Sequence, residues 1–216
     1  MGGKARERLL SAAGRLFYAH GVSATGIDTI TTEAGVAKMS HYNNFASKAD
    51  LVQAYLDARH DEWLRLYRRR LEQTSDPRGA VLAIFDAYAD HAAFAYEHGF
   101  RGCGLQNAAA ELPAGDPGRA IVRRHKEHVE SLLAGHLRQF RPDVAGALAE
   151  HLSFLLEGAM ARAGLEGGRA RLEHARAMAA ALIGAPGQGV EKAPRNRSSA
   201  SPDGPEAQAS GATTPA

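Results

Sequence analysis

Apolar side chains recur with a helical period in nearly every segment as far as residue 184, and none alternates with a sustained period of two. The pattern predicts an all-α protein. Leu9, Leu10, Ala13, Leu16 and Phe17 fall on one stripe of a first helix that ends before Gly21. Thr25 is placed to cap a second helix of about two turns, in which Ile27, Ile30 and Ala34 share a face and which Gly35 ends. A third short helix is expected from about Ala37 to Asn44. Ser47, with Asp50 three residues on, opens a long fourth helix through Leu51, Ala54, Tyr55, Leu64 and Tyr67.

Asp76 and Pro77 start the fifth helix, with Val81, Ile84, Phe85 and Tyr88 facing inward and Gly99 closing it. A glycine-rich break, GFRGCG, leads to a short sixth helix, LQNAAAEL, that stops at Pro113 and Gly115. Asp116 and Pro117 begin a seventh through Ile121, His125, Val129, Leu132 and Leu133. Asp143 is placed to cap an eighth, which carries Val144, Leu148, Leu152, Leu155, Leu156, Ala159 and Ala163. Gly167 and Gly168 separate it from a ninth with Leu172, Ala175, Ala179, Leu182 and Ile183. Nine helices are therefore expected.

Composition narrows the class. The chain has 216 residues with 44% hydrophobic content, enough for one or two domains with a buried core. One cysteine, Cys103, excludes an intramolecular disulfide framework and any CxxC metal or redox motif. No apolar stretch reaches the roughly 18 residues a membrane span needs, and MGGKARERLL is not followed by a signal-peptide core, so a cytoplasmic protein is expected. Residues 185–216 hold five of the nine prolines and a single large aliphatic side chain, Val190. Such a segment cannot bury enough surface to offset its ordering entropy and reads as a disordered tail.

The formal charge of +2 is too small to argue for nucleic acid, so that case rests on local pattern. Two short helices joined by a glycine turn and preceded by a packing helix make a helix-turn-helix, whose second helix enters a DNA major groove. Between Glu33 and Asp50 there is no acidic residue, while Lys38 and Lys48 are present, so the face does not repel phosphates.

The same region resembles the TetR family of transcriptional regulators. The resemblance is carried by Ala12 and Ala13, Leu16 and Phe17, Gly21, Thr25, Ile30, Ala34 to Val36, Tyr42, Phe45, Ser47, Lys48 and Leu51. RGCGLQNAAAEL is similar to a stretch that some members carry between the fifth and sixth helices. The chain departs from the pattern at Ala37, His41 and Asn44, where the family commonly has Ser, Leu and His. The resemblance implies a DNA-binding domain over residues 4–50 and an effector-binding and dimerisation domain over 51–184. Carried over by position, Thr25, Tyr42 and Lys48 would touch phosphates, where helix N-termini already favour anions. Lys38, Met39, Ser40 and Asn43 are placed on the exposed face of the third helix, with side chains suited to base edges.

The helices that surround an effector cavity in that family carry Trp63, Tyr67, Phe85, Tyr88, Phe94, Phe154, Gln106, Asn107 and Glu157, and Cys103 lies beside them. Apolar walls with a few polar groups suit a small organic ligand. Leu148, Leu152, Leu155 and Ala159, with Leu172, Ala175, Ala179 and Leu182, are the expected seam of a homodimer. His125 and His128, at i and i+3 on a charged helix, read as solvent-facing rather than as metal ligands, and no cofactor is expected. No nucleophile elbow or paired base is present, so catalysis has no support. The expected function is a repressor released from its operator by a small organic effector. The alternative is a helical small-molecule or thiol-based redox sensor with weak or lost DNA binding.

Overall fold

The computed structural model describes residues 2–93 and 99–184; Phe94 and the 185–216 tail lie outside the described residues. Among the described residues there are nine helices and no strand. They are α1 (Gly2–His20), α2 (Ile27–Glu33), α3 (Lys38–Tyr42), α4 (Lys48–Leu71), α5 (Pro77–Ala92), α6 (Gly104–Glu111), α7 (Pro117–Leu137), α8 (Ala145–Glu166) and α9 (Ala170–Gly184).

Three of the five helix starts with an expected cap follow the expected chemistry. Ser47 Oγ accepts from the Asp50 amide at 3.1 Å, Asp76 from Gly79 at 2.9 Å, and Asp116 from Gly118 at 2.7 Å, each satisfying a backbone donor that the first turn leaves open. Two do not. Gly26, not Thr25, stands at the N-cap of α2, because the Thr25 hydroxyl turns back to donate to the Gly21 carbonyl at 2.7 Å. Val144, not Asp143, precedes α8, with no side-chain cap. Gly35 ends the α2 turn at φ +58°, a left-handed conformation that glycine adopts without a Cβ penalty.

Helices α1, α2 and α3 pack on one another, and α1 also packs on α4 and α6. The larger bundle is built by α4, α5, α7, α8 and α9. The two units share one continuous buried cluster, since α4 runs unbroken from one to the other and its Tyr55 meets Phe17 of α1 edge to face at 5.5 Å.

Most of the residues expected at the dimer seam lie inside the single chain. Leu148, Leu152, Leu172, Ala175 and Ala179 are all buried inside the single chain, filled by packing among α5, α7, α8 and α9. Leu155 and Ala159 are half-buried against the same core. Leu182 stays outside at 43% exposure, in company with Met178, and α8 turns Phe154, Gly158, Ala161 and Leu165 outward. Those positions are spaced four, three and four residues apart, so they form one apolar stripe along the helix.

Candidate DNA-binding face and internal cavity

Met39 and Tyr42 project from α3 with 65% and 52% exposure, unusual for large apolar side chains and available to a partner. Lys38 and Asn43 are exposed beside them, while Ser40 and Lys48 are half-exposed. Thr25 differs: it is buried at 3% exposure and its hydroxyl is already engaged, so a phosphate at this end of α2 would meet backbone N–H groups instead. Arg6, missed in the sequence reading, lies 5.0 Å over the Phe45 ring and adds a basic group near α3.

Lys38 Nζ sits 2.7 Å from a carboxylate oxygen of Asp28 on α2. The acid-free window from Glu33 to Asp50 therefore understates the acidity of this face, because the turn brings Asp28 across from the preceding helix. Asp28→Asn is expected to tighten binding to DNA of any sequence and to steepen the dependence of log K on log salt by about 1, as Lys38 becomes free to neutralise a phosphate. Fluorescence anisotropy across a salt series measures both.

His41, where the family commonly has Leu, is completely buried behind this face, stacked on Phe45 at 6.0 Å, and neither ring nitrogen has a hydrogen-bond partner. Burial lowers its pKa. The unfolded chain takes up a proton near pH 6.5 and the folded one resists it, so this residue subtracts stability as pH falls below about 6.5. His41→Leu is expected to stabilise the fold by about 1–2 kcal/mol at neutral pH, by removing an unpaired buried polar group, and by more at pH 5.5. Denaturant unfolding at the two pH values measures the difference.

The larger bundle holds a small, partly open void of about 10 Å³, room for little more than a water molecule. Of the residues expected at an effector cavity, Trp63, Tyr88 and Cys103 line it. Arg59, His91, Leu105, His125 and Met160 complete most of the wall and were missed. His125 is the instructive case: read with His128 as solvent-facing, it is 2% exposed, and its place on the Ile121–Val129 stripe was the available signal. Its Nδ1 lies 2.8 Å from His60 Nδ1 and its Nε2 lies 3.2 Å from the Tyr88 hydroxyl. Burial, with help from Lys126 and the neighbouring histidines, pushes its pKa down to about 2, so the ring is neutral.

The other expected cavity residues go elsewhere. Phe85 is fully buried core. Tyr67 is buried with its hydroxyl 2.6 Å from His136 Nε2. Phe154 faces outward at 64% exposure. Glu157 pairs with Lys126 at 2.6 Å, and Lys126 Nζ lies 3.7 Å from Cys103 Sγ. Asn107 and Gln106 line a separate open groove of about 440 Å³ that runs between the start of α6 and the end of α8. Among the described residues, no group of three or more His, Cys, Asp and Glu side chains is placed to hold a metal ion, and no helix is long and apolar enough to cross a membrane.

The segment that walls both spaces is tied at each end to the DNA-binding unit. The Arg101 guanidinium donates to the carbonyl of Tyr18 at 2.8 Å and to that of Ala19, closing the C-terminus of α1. Its backbone amide donates to the Tyr18 hydroxyl at 2.6 Å. At the other end of α6, the Glu111 carboxylate accepts from the amides of Val22 at 3.0 Å and Ser23 at 2.7 Å, in the turn that leads into α2. Partial burial alone would raise the Glu111 pKa, but these amides outweigh it and hold the carboxyl below its usual range.

Comparison with known proteins places this architecture. Residues 9–55 match the family model for bacterial regulatory proteins of the tetR family. The transcriptional activator FasR of Mycolicibacterium smegmatis is 36% identical over 85 residues, 39% of this chain and 39% of that protein. The transcriptional repressor KstR2 of Mycobacterium tuberculosis is 33% identical over 90 residues, 40% of this chain and 45% of its own length. Those matches span less than half of the curated relatives. A far longer match comes from the crystal structure of SCO4454, a TetR-family transcriptional regulator from Streptomyces coelicolor, at 31% identity and a TM-score of 0.76, covering 84% of this chain and 95% of that one. With the family model matched over residues 9–55 and almost the whole of that structure covered at 31% identity, the chain belongs to the TetR family of transcriptional regulators.

Proposed function

We propose that this chain is a ligand-responsive repressor that binds an operator as a homodimer through α3 and the start of α4 and leaves it when a small organic effector occupies the internal void. The observation that carries the reading is the double tie of the α5–α6 segment: residues that wall the void lie between Arg101 and Glu111, which grip the end of α1 and the turn into α2. A guest that moves this wall moves the base of the helix-turn-helix. Such coupling needs different effector affinities in the two conformations, and it is reciprocal. Selecting genomic fragments that the protein retains, then titrating one against a salt series with and without candidate effectors, tests both halves. An equal effector affinity with and without operator would remove the mechanism.

The homodimer is assigned to the outward stripe of α8 at Phe154 and Gly158, with Met178 and Leu182 of α9, while Ala161 and Leu165 farther along α8 border the open groove. Gly158 permits close helix approach, and Phe154, Met178 and Leu182 are too exposed for an unpartnered surface. Two copies would then present their α3 helices to half-sites about one DNA turn or a multiple apart. Phe154→Glu puts a carboxylate into that seam without touching the core, and is expected to yield a folded monomer by light scattering that binds operator far more weakly. A dimer that survives this change would move the interface elsewhere.

A further inference from the structure

The void and the outer groove share two lining residues, Cys103 and Met160, which form the partition between them. Met160 is 1% exposed, unbranched and conformationally adaptable, so it is the part of the partition that can swing. Displacing it joins a water-sized void to a groove of about 440 Å³, which changes the size of guest the site accepts.

The chemistry of that guest follows from what the wall leaves unpaired. Trp63 is 3% exposed and its indole Nε1–H has no acceptor; Arg59 Nε–H, on the same wall, has none either. An unpaired buried donor is costly, so a guest that brings an oxygen acceptor is favoured over one that does not. The acceptor is either a charged carboxylate or a neutral carbonyl, and the charges decide. Arg59 is already balanced by Glu62 at 2.7 Å, and Lys126 by Glu157 at 2.6 Å. His125 is neutral. Among the described residues that line the void, Arg59 is the one permanent cation, and the Glu62 carboxylate that it and His91 face leaves neither to neutralise a second carboxylate there; an uncompensated buried charge costs more than one hydrogen bond returns. The shape is set by rings: Trp63 stacks on Tyr67 at 5.5 Å and 6°, and lies 5.4 Å from both Tyr88 and His125.

Resting on the reading of this void as the effector site, we propose that the effector is a small, uncharged, flat carbonyl compound that enters past Met160 and accepts the Trp63 indole N–H through its oxygen. Three probes of matched size separate the possibilities: acetophenone, ethylbenzene, which lacks the acceptor, and benzoate, which adds a charge. Calorimetry on the full chain is expected to rank acetophenone at least tenfold tighter than either of the others. Trp63→Phe should bring acetophenone down to the ethylbenzene level. Because Trp63 is the single tryptophan, biosynthetic replacement by its benzothienyl analogue exchanges only the N–H for sulfur, and it should give the same collapse with the ring shape kept. Met160→Ala should raise the affinity of acetophenone and ethylbenzene together while leaving their ratio unchanged.

Equal binding of acetophenone and ethylbenzene, a preference for benzoate, an unchanged ranking in both Trp63 variants, or no binding of any probe would each overturn the proposal. The effector reading is judged separately. A compound of another class that releases the operator would overturn this ligand assignment and keep the effector reading, whereas acetophenone bound in the stated order without operator release would keep the assignment and remove the effector reading.

Discussion

Glu111→Ala is expected to leave a folded protein that binds its effector within a few-fold of the parent but no longer transmits the event to DNA. The substitution removes the acceptor for the Val22 and Ser23 amides and nothing from the void wall. Hydrogen bonds to a charged group contribute about 1.5–3 kcal/mol, and Glu111 is exposed, so the loss of stability should fall at or below the lower end. Amide exchange at Val22 and Ser23 should accelerate sharply. The ratio of operator affinities without and with effector, about 5- to 150-fold in a coupled system, should fall toward one. The tie also has a pH signature. Its carboxyl titrates below the usual range, so its contribution is complete above the unfolded value near 4.5 and is lost as pH falls through the lower folded value. Unchanged coupling in Glu111→Ala would mean that the signal travels by the Arg101 tie or by α4 rather than through Glu111.

Gly164→Ala should be the most damaging single methyl group in the larger bundle. A Cβ there would lie 2.7 Å from both the Cα and the N of Gly102 and 2.9 Å from the Arg101 carbonyl carbon. These are backbone atoms and cannot rotate away. Gly102 is held at φ +82°, so the loop has little freedom to absorb the shift. Alanine gains about 1 kcal/mol over glycine in helix propensity, but overpacking against backbone costs about 1–3 kcal/mol or more, and the clash wins. A net loss of about 2 kcal/mol corresponds to a fall in Tm of roughly 4–8 °C for a chain of this size. The displaced loop carries Arg101, so the same variant should also lose grip on α1 and weaken operator binding. An unchanged Tm would show that α8 and the loop are not in contact in solution.

The elements of the fold were legible because their determinants are local. An apolar stripe every three to four residues, a cap at Ser47, Asp76 or Asp116, and glycine turns at 35 and 167 act within a few residues of chain, and each reappears in the structure. The helix-turn-helix was legible for the same reason, as was the exposure of Met39 on α3; the 52% exposure of Tyr42 was not. Thr25 shows the limit of local reading: a threonine ahead of a helix suits a cap, but its hydroxyl found a closer carbonyl behind it.

What only the tertiary structure decided is which surfaces meet. Periodicity marks Leu148, Leu152 and Leu172 as apolar-face residues, but the choice between covering them with this chain or with a second copy depends on how α5, α7, α8 and α9 cross. Asp28 reaches Lys38, Arg101 reaches Tyr18, Glu111 reaches Val22, and His60 reaches His125, across separations from ten residues to almost ninety. None of these pairings leaves a mark in the local pattern, because a surface charge or a half-buried histidine has the same neighbours in sequence whether or not a partner arrives. The sequence alone determined nine helices and a DNA-reading motif. The packing decided that the wall of the void and the base of that motif are held by the same short segment, since rigid helices of set length, joined by short turns, can bury their stripes together only in particular arrangements.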